Sequence, residues 1–161
     1  MHIAGYIQQA AKGIVLVVNK WDLAGVKRTT ECSRYIKSQF NFMSYAPVLY
    51  ISAKFGQGVD KVMPQVCEVY YERLKRLPTA TVSSVVQQAV AAHSLPRRGN
   101  KQLKIRYATQ AEVNPPTFVF FVNDARLIHF SYQRYLENKL RQSFGFTGTP
   151  IRLVFKTRGE P

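Results

Sequence analysis

Two short apolar runs constrain this fold most: IVLVV at residues 14–18 and PVLYI at 47–51, each followed by polar residues and then by a helical pattern. Runs rich in β-branched side chains and without polar alternation predict strands buried on both faces of a parallel sheet. Between them, TTECSRYIKSQFN at 29–41 places Cys32, Tyr35, Ile36 and Phe40 at helical spacing. From Val59 the apolar positions Val62, Met63, Val66, Val69, Tyr70, Leu74 and Leu77 step by three and four. That spacing predicts a helix of about five turns ending near Pro78. Strand, helix, strand, helix implies right-handed crossovers with helices packed on a parallel sheet. Two strands are fewer than the roughly four to six of an ordinary sheet, so residues 1–78 read as about the last third of an α/β domain.

The pattern changes at Pro78. Residues 79–93, TATVSSVVQQAVAAH, predict a helix capped by Thr81, with Val82, Val85, Val86, Ala89 and Val90 as its apolar positions. A loop of Pro, Gly and basic residues follows, SLPRRGNKQ, then strand-like LKIRYATQ at 103–110, the turn AEVNPP, and the strand TFVFFVN at 117–123. After a short DARLIHF turn, SYQRYLENKLRQSFG at 131–145 predicts a helix with Ser131 as N-cap and Gly145 as its stop. Its face of Tyr132, Tyr135, Leu136, Leu140 and Phe144 is a packing stripe rather than a base-stacking one. IRLVF at 151–155 is the last strand. The chain therefore reads as α/β followed by α+β. Residues 1–78 form one domain, and residues 79–161 a second with helices on one face of a three-stranded sheet.

Composition narrows the function classes. With 46% apolar residues in 161, the chain can bury a core, and wholesale disorder is not expected. No run approaches the roughly 20 apolar residues that span a bilayer. The start, MHIAGYIQQAAKG, lacks the basic leader and apolar run of an export signal, so a cytoplasmic location without a membrane partner is expected. Cys32 and Cys67 sit on predicted helices without CxxC spacing and read as buried free thiols. His93 and His129 have no second ligand at metal spacing, so no metal or catalytic role is assigned. The net charge of +14 favours a polyanionic partner.

The chemistry-bearing residues begin where the first strand ends. Asn19-Lys20-Trp21-Asp22 stands at the carboxyl end of a sheet strand, where α/β folds place ligands, and fits the NKxD pattern of guanine-nucleotide-binding domains. A carboxylate at Asp22 can accept paired hydrogen bonds from guanine's ring N–H and exocyclic amine, a pair that adenine does not offer. The Asn19 amide can hold the loop and donate toward the ring's acceptor edge, while the Lys20 stem can lie along the base face. Ser52-Ala53-Lys54 follows the next strand after one helical crossover, as does the SAK element, whose backbone N–H meets the guanine carbonyl oxygen. The sequence holds no GxxxxGK[ST] loop, and no DxxG element stands upstream of Asn19. The residues that hold the phosphates and hydrolyse GTP are therefore not in this chain.

These runs, KGIVLVVNKWDL and ISAKFGQGVDKVMPQV followed by PRRGNKQLKIRYATQ, PPTFVFFVND and HFSYQRYLENKLRQSFGFTGTPIRLVFK, closely resemble the C-terminal portion of the bacterial double-GTPase family Der, also called EngA. The resemblance covers essentially the whole chain. It implies two tandem GTPase domains followed by a KH-like domain, acting in maturation of the large ribosomal subunit. This chain matches the last strands and helices of the second, P-loop-type GTPase domain plus the KH-like domain. The resemblance makes Asn19, Lys20, Asp22, Ser52, Ala53 and Lys54 guanine-binding residues. It implies GTP or GDP as ligand, with Mg2+ held in the intact family member by residues absent here, and a fragment inactive alone.

Arg97, Arg98, Lys101, Lys104 and Arg106 are five cations with no acid between Ser94 and Arg106. They read as a phosphate-contact surface for ribosomal RNA, against the plainer alternative of a solvated face or a patch docking on the protein's own GTPase domain. KH domains usually grip nucleotides with a GxxG loop between two helices. The corresponding junction, His129-Phe130-Ser131, does not match; Gly145-Phe146-Thr147-Gly148 does, but it follows the long helix and reads as its stop. A competing reading is a stand-alone basic RNA- or protein-interaction module that never meets nucleotide. The sheet edge beside IVLVV is expected to drive self-association or to leave the N-terminal half poorly ordered.

Overall fold

A computed structural model describes residues 2–24, 29–98 and 101–157. The chain divides into two compact units, Met1–Glu72 with Thr147–Pro150, and Arg73–Phe146 with Ile151–Pro161.

The first unit runs α1 (His2–Gln9), β1 (Leu16–Val18), α2 (Thr29–Gln39), β2 (Val48–Tyr50) and α3 (Val62–Leu74). β1 and β2 pair in parallel, Leu16 opposite Val48 and Val18 opposite Tyr50, as the strand–helix–strand order predicts. Ala4, Ile14, Met43 and Ala46 form its core. Both strands are only three residues long and partly exposed rather than buried on both faces, because among the described residues each has only the other as neighbour.

The helix expected to run from Val59 to Pro78 is instead a single 3-10 turn, Val59–Lys61, followed by α3, which ends at Leu74. Of its apolar stripe Val69 is buried, while Met63 at 65% and Tyr70 at 58% are largely exposed. A two-stranded sheet offers too little surface to cover that stripe. The same shortage corrects the cysteines: both are free thiols, but Cys67 is exposed and Cys32 half-buried, so neither packs as a fully buried hydrophobe.

Thr147–Pro150 packs into this first unit. Gly148 donates its N–H to the Tyr45 carbonyl at 2.7 Å and accepts the Ile14 N–H at 2.7 Å. Its φ of +66° is left-handed, and a Cβ there would lie 2.3 Å from Val69 Cγ2 and 2.8 Å from the Ile14 oxygen, so only glycine fits.

The second unit contains α4 (Thr79–Ala92), β3 (Arg97–Arg98), β4 (Lys101–Gln102), β5 (Ile105–Val113), β6 (Pro116–Val122), α5 (Phe130–Phe144) and β7 (Arg152–Thr157). β5 and β6 are antiparallel and β6 and β7 parallel, giving one three-stranded sheet in the order β5-β6-β7. Phe118, Phe120, Val82, Val86, Leu136 and Leu140 close the core between the helices and one sheet face. The buried Gln110 is fully engaged: its Oε1 accepts the Leu77 N–H at 2.7 Å and its Nε2 donates to the Lys75 carbonyl at 2.9 Å.

Both predicted N-caps in this unit are wrong. α4 is preceded by Pro78 at the cap position, without a side-chain cap, and Thr81 falls inside the helix. α5 is capped by His129, whose Nδ1 accepts the Ser131 N–H at 3.3 Å. The predicted C-terminal stop holds: Gly145 has φ +87° and donates its N–H to the Arg141 carbonyl at 2.8 Å. The region predicted as a loop is a small antiparallel hairpin, β3 on β4, with Arg97 opposite Gln102. Its Gly99 and Asn100 lie outside the described residues. Among the described residues no helix is long and apolar enough to cross a membrane.

Candidate functional site

In the first unit the chain beyond β1 turns through a 3-10 helix, Trp21–Leu23, preceded by Lys20 in left-handed backbone at φ 62°. For a side-chain-bearing residue that conformation costs about 1–2 kcal/mol and must be held by its surroundings. Three contacts hold it. Asn19 Oδ1 accepts the Lys20 N–H at 2.7 Å, Trp21 donates its N–H to the Ile51 carbonyl at 2.9 Å, and the Trp21 indole lies 4.2 Å, centroid to centroid, from the Tyr50 ring.

The second loop, after β2, is closed by a bridge between Ser52 and Gln57: Ser52 donates to the Gln57 carbonyl at 2.9 Å, and Gln57 donates back at 3.1 Å. The two loops meet. Ser52, only 1% exposed, donates its hydroxyl to Asp22 Oδ1 at 2.5 Å, and Ala53 donates its N–H to Asn19 Oδ1 at 3.1 Å. Thus Asn19, Asp22, Ser52 and Ala53 converge in space across 30 to 34 residues of sequence. Lys20 and Lys54 are exposed beside them, the Lys54 ammonium 5.2 Å from the Phe55 ring centroid.

Chemically, Asp22 keeps acceptor capacity beyond the one hydrogen bond that orients it, since a carboxylate offers about four lone-pair sites. The Ala53 N–H, by contrast, is already donated to Asn19, so a ligand carbonyl would have to exchange for that bond. A cleft of about 520 Å3 opens nearby, lined by Asn19, Lys20, Trp21, Cys32 and Tyr35. Asp22 and Ser52 do not line it, so it is not where the oriented carboxylate is presented. The tilted Trp21–Tyr50 ring contact, which packs Trp21 of the motif against β2, is the part sequence reasoning left unassigned.

In the second unit Arg97, Lys101, Lys104 and Arg106 are exposed, spread from the hairpin to the start of β5; of Arg98 only the backbone pairing with Lys101 is described. Asn123, not singled out from sequence, ties this region together. Its Oδ1 accepts the Lys104 N–H at 2.8 Å, its Nδ2 donates to the Gln102 carbonyl at 2.9 Å, and its own N–H reaches the Lys104 carbonyl at 3.1 Å. Next to it, hydrogen bonds from Arg126, with Lys101 as a weaker charge nearby, hold the Asp124 carboxyl down to about 2. The only signal in sequence was an Asn-Asp pair at a strand end, a combination that commonly bonds its own backbone in turns.

Comparison with known proteins bears on both regions. A family model described as the KH-domain-like of EngA bacterial GTPase enzymes, C-terminal, matches residues 76–156. A protein named GTPase Der from Desulfitobacterium hafniense is 50% identical over 160 residues, covering 98% of this chain and 36% of that protein. GTPase Der of Leuconostoc citreum is 42% identical over 159 residues, again covering 98% and 36%. The one from Lactobacillus acidophilus is 45% identical, covering 98% and 37%. The chain thus spans a little over a third of the length of the curated relatives it matches. Among solved structures, an Aquifex aeolicus Era variant bound to GDP and AlF4− is 18% identical, covering 96% of this chain and 58% of that one, with a TM-score of 0.35, too low a likeness to inform the fold.

Proposed function

This chain belongs to the EngA (Der) family of bacterial GTPases, whose C-terminal KH-like domain it carries, and from that premise we propose that it is the nucleotide-reading and RNA-contacting end of a large-subunit assembly factor. Residues 1–78 are then the C-terminal part of the second, P-loop-type GTPase domain, and residues 79–161 the KH-like domain.

The observation that carries this reading is the pair of hydrogen bonds joining the two loops, Ser52 to Asp22 and Ala53 to Asn19. They fix a carboxylate and an amide close together, suited to guanine's paired donors and adjacent acceptors, with the Ala53 N–H available to the guanine carbonyl in exchange for its bond to Asn19. A site of this kind rejects adenine because the Asp22 carboxylate, oriented by the buried Ser52 hydroxyl, would be left without the paired donors that guanine offers. Lys20 supplies a stem for the base face, and Lys54 a second exposed cation.

The phosphates and Mg2+ find no candidate ligands among these residues, so no hydrolytic step is assigned to them. The exposed stripe of Met63, Val66 and Tyr70 on α3, with Ile3 and Tyr6 on α1, is surface of the kind the remainder of such a domain would bury. With that surface and the β1–β2 sheet edge open, the isolated chain self-associates. Arg97, Arg98, Lys101, Lys104 and Arg106 contact ribosomal RNA through its phosphates, consistent with a net charge of +14.

The test is Asp22→Asn in the intact family member carrying this segment. Two hydrogen bonds to a charged acceptor, at about 1.5–3 kcal/mol each, predict GTP and GDP binding weakened roughly 10²- to 10⁴-fold. Preference should shift toward xanthine nucleotides, whose extra carbonyl suits an amide donor. Unchanged guanine affinity would leave the stand-alone interaction module as the better reading.

A further inference from the structure

We propose that the Tyr107 end of the sheet face turned away from α4 and α5 is a platform on which bases of single-stranded RNA stack, separate from the basic hairpin. The proposal rests on reading the partner as RNA, and places on the sheet a contact that phosphate binding alone does not need.

α4 and α5 pack on one face of the sheet, where Phe118 and Phe120 are fully buried. On the other face the strand register sets Tyr107 opposite Phe121 and Phe121 opposite Lys156, one row across all three strands. The Tyr107 and Phe121 rings stack at 4.3 Å with an interplanar angle of 18°. Two rows away Thr117 stands opposite Arg152. Tyr107 is 44% exposed, and Arg152 and Lys156 are exposed.

The register shift between Ile105 and Tyr107 interrupts the alternation of β5, so that Arg106 and Tyr107 are both exposed as consecutive residues. An aromatic ring and a cation are thereby presented side by side at one edge of the face. The carboxylate on this face, Glu112, stands at the far end beside Thr117, whose hydroxyl donates to it at 3.4 Å.

An exposed Tyr107 ring stacked on the half-buried Phe121 ring and flanked by cations fits a ligand that carries flat apolar faces and negative charge together. A single-stranded nucleic acid has both; a duplex hides its base faces, and an acidic peptide gives the rings nothing flat to stack on. The strong positive charge of the chain makes the phosphate half of that match general, and the ring pair makes it local.

The experiment titrates the whole chain with a labelled single-stranded oligoadenylate of about ten nucleotides, within the span of one such binding surface, and separately with inorganic polyphosphate at the same salt. Tyr107→Ala should weaken oligoadenylate binding roughly 5- to 150-fold, the worth of one stacked base, and leave polyphosphate binding unchanged. Tyr107→Phe keeps the ring and should keep the binding, which separates stacking from a folding defect. If Tyr107→Ala binds oligoadenylate like the parent while Arg97→Gln with Lys101→Gln binds it weakly, the platform is refuted and the RNA reading of the hairpin survives. If Tyr107→Ala loses both ligands equally, the ring is structural and the platform is also refuted. If the parent chain binds neither ligand, the RNA reading itself falls, and the platform with it.

Discussion

Gly148→Ala should destabilise the first unit clearly more than Gly56→Ala, although both glycines have left-handed backbone. Alanine at φ +66° takes on the left-handed penalty of about 1–2 kcal/mol. Its Cβ would also stand 2.3 Å from Val69 Cγ2 and 2.8 Å from the Ile14 carbonyl oxygen; the first can shift, but the second is backbone that is hydrogen-bonded on both sides of the contact. Overpacking of this sort costs about 1–3 kcal/mol more, for a total of about 2–5 kcal/mol. Gly56→Ala is the control, because Gly56 has φ +69° and nothing within 4 Å of an added Cβ. It carries the backbone term alone, and the gain from a stiffer unfolded chain is common to both variants. Urea unfolding followed by the fluorescence of Trp21, the one tryptophan in the chain and part of the first unit, reads the difference. Equal loss in the two variants would refute the packing argument, since it would mean that residues 147–150 do not press on Ile14 and Val69 in solution.

Three further outcomes follow from the second unit. Burial, aided by the Tyr135 phenol, pushes the Tyr132 hydroxyl up to about 12. The unfolded phenol ionises first, so the stability tied to Tyr132 is fully present below about pH 10 and is lost as the pH rises through about 12. Its hydroxyl is buried without a hydrogen-bond partner among the described residues, so Tyr132→Phe should raise stability by about 1 kcal/mol at pH 8 and remove the alkaline loss between pH 10 and 12 in thermal melts. Leu136→Ala removes a side chain that is 1% exposed from the centre of the core, and should cost about 2–5 kcal/mol in denaturant unfolding followed by far-ultraviolet circular dichroism. Asn123→Ala deletes the amide that holds Lys104 and Gln102. It should weaken RNA binding by loosening the hairpin while leaving the helical signal in place, and undiminished binding would show that the hairpin is ordered without it.

How much of this could be read from sequence depends on the range of the interactions involved. The parallel pairing of β1 and β2 follows from a crossover helix between two apolar runs, and the inward face of Tyr132, Leu136 and Leu140 follows from spacing within one helix. Asn19 and Asp22 came from a local pattern, and so did Ser52 and Ala53. That the two patterns touch needed only the sheet order. The caps were missed because Thr81 and Ser131 have the right chemistry two or three residues from the caps at which the helices start, Pro78 and His129. The hairpin at 97–102 was hidden because Arg, Lys and Gly report charge and flexibility more strongly than strand. The stripe on α3 was read as core because its periodicity says only that a helix has an apolar side, and not whether a neighbour covers it. No local signal at all marked residues 147–150 as part of the first unit: Gly148 looks like a helix stop until Val69, 79 positions earlier, is brought against it.

The most direct measurement titrates this chain with labelled GDP and, separately, with large-subunit ribosomal RNA at two salt concentrations. If the five cations of the basic patch contact RNA phosphates as proposed, the log–log salt slope for RNA is about −3.5 to −4.5, alongside negligible GDP binding, because the loops proposed to read guanine bring no phosphate ligands with them. Salt-insensitive RNA binding, or tight binding of GDP, would contradict the account: the first would remove the basic hairpin from the interface, and the second would require a phosphate site built from residues assigned here to none.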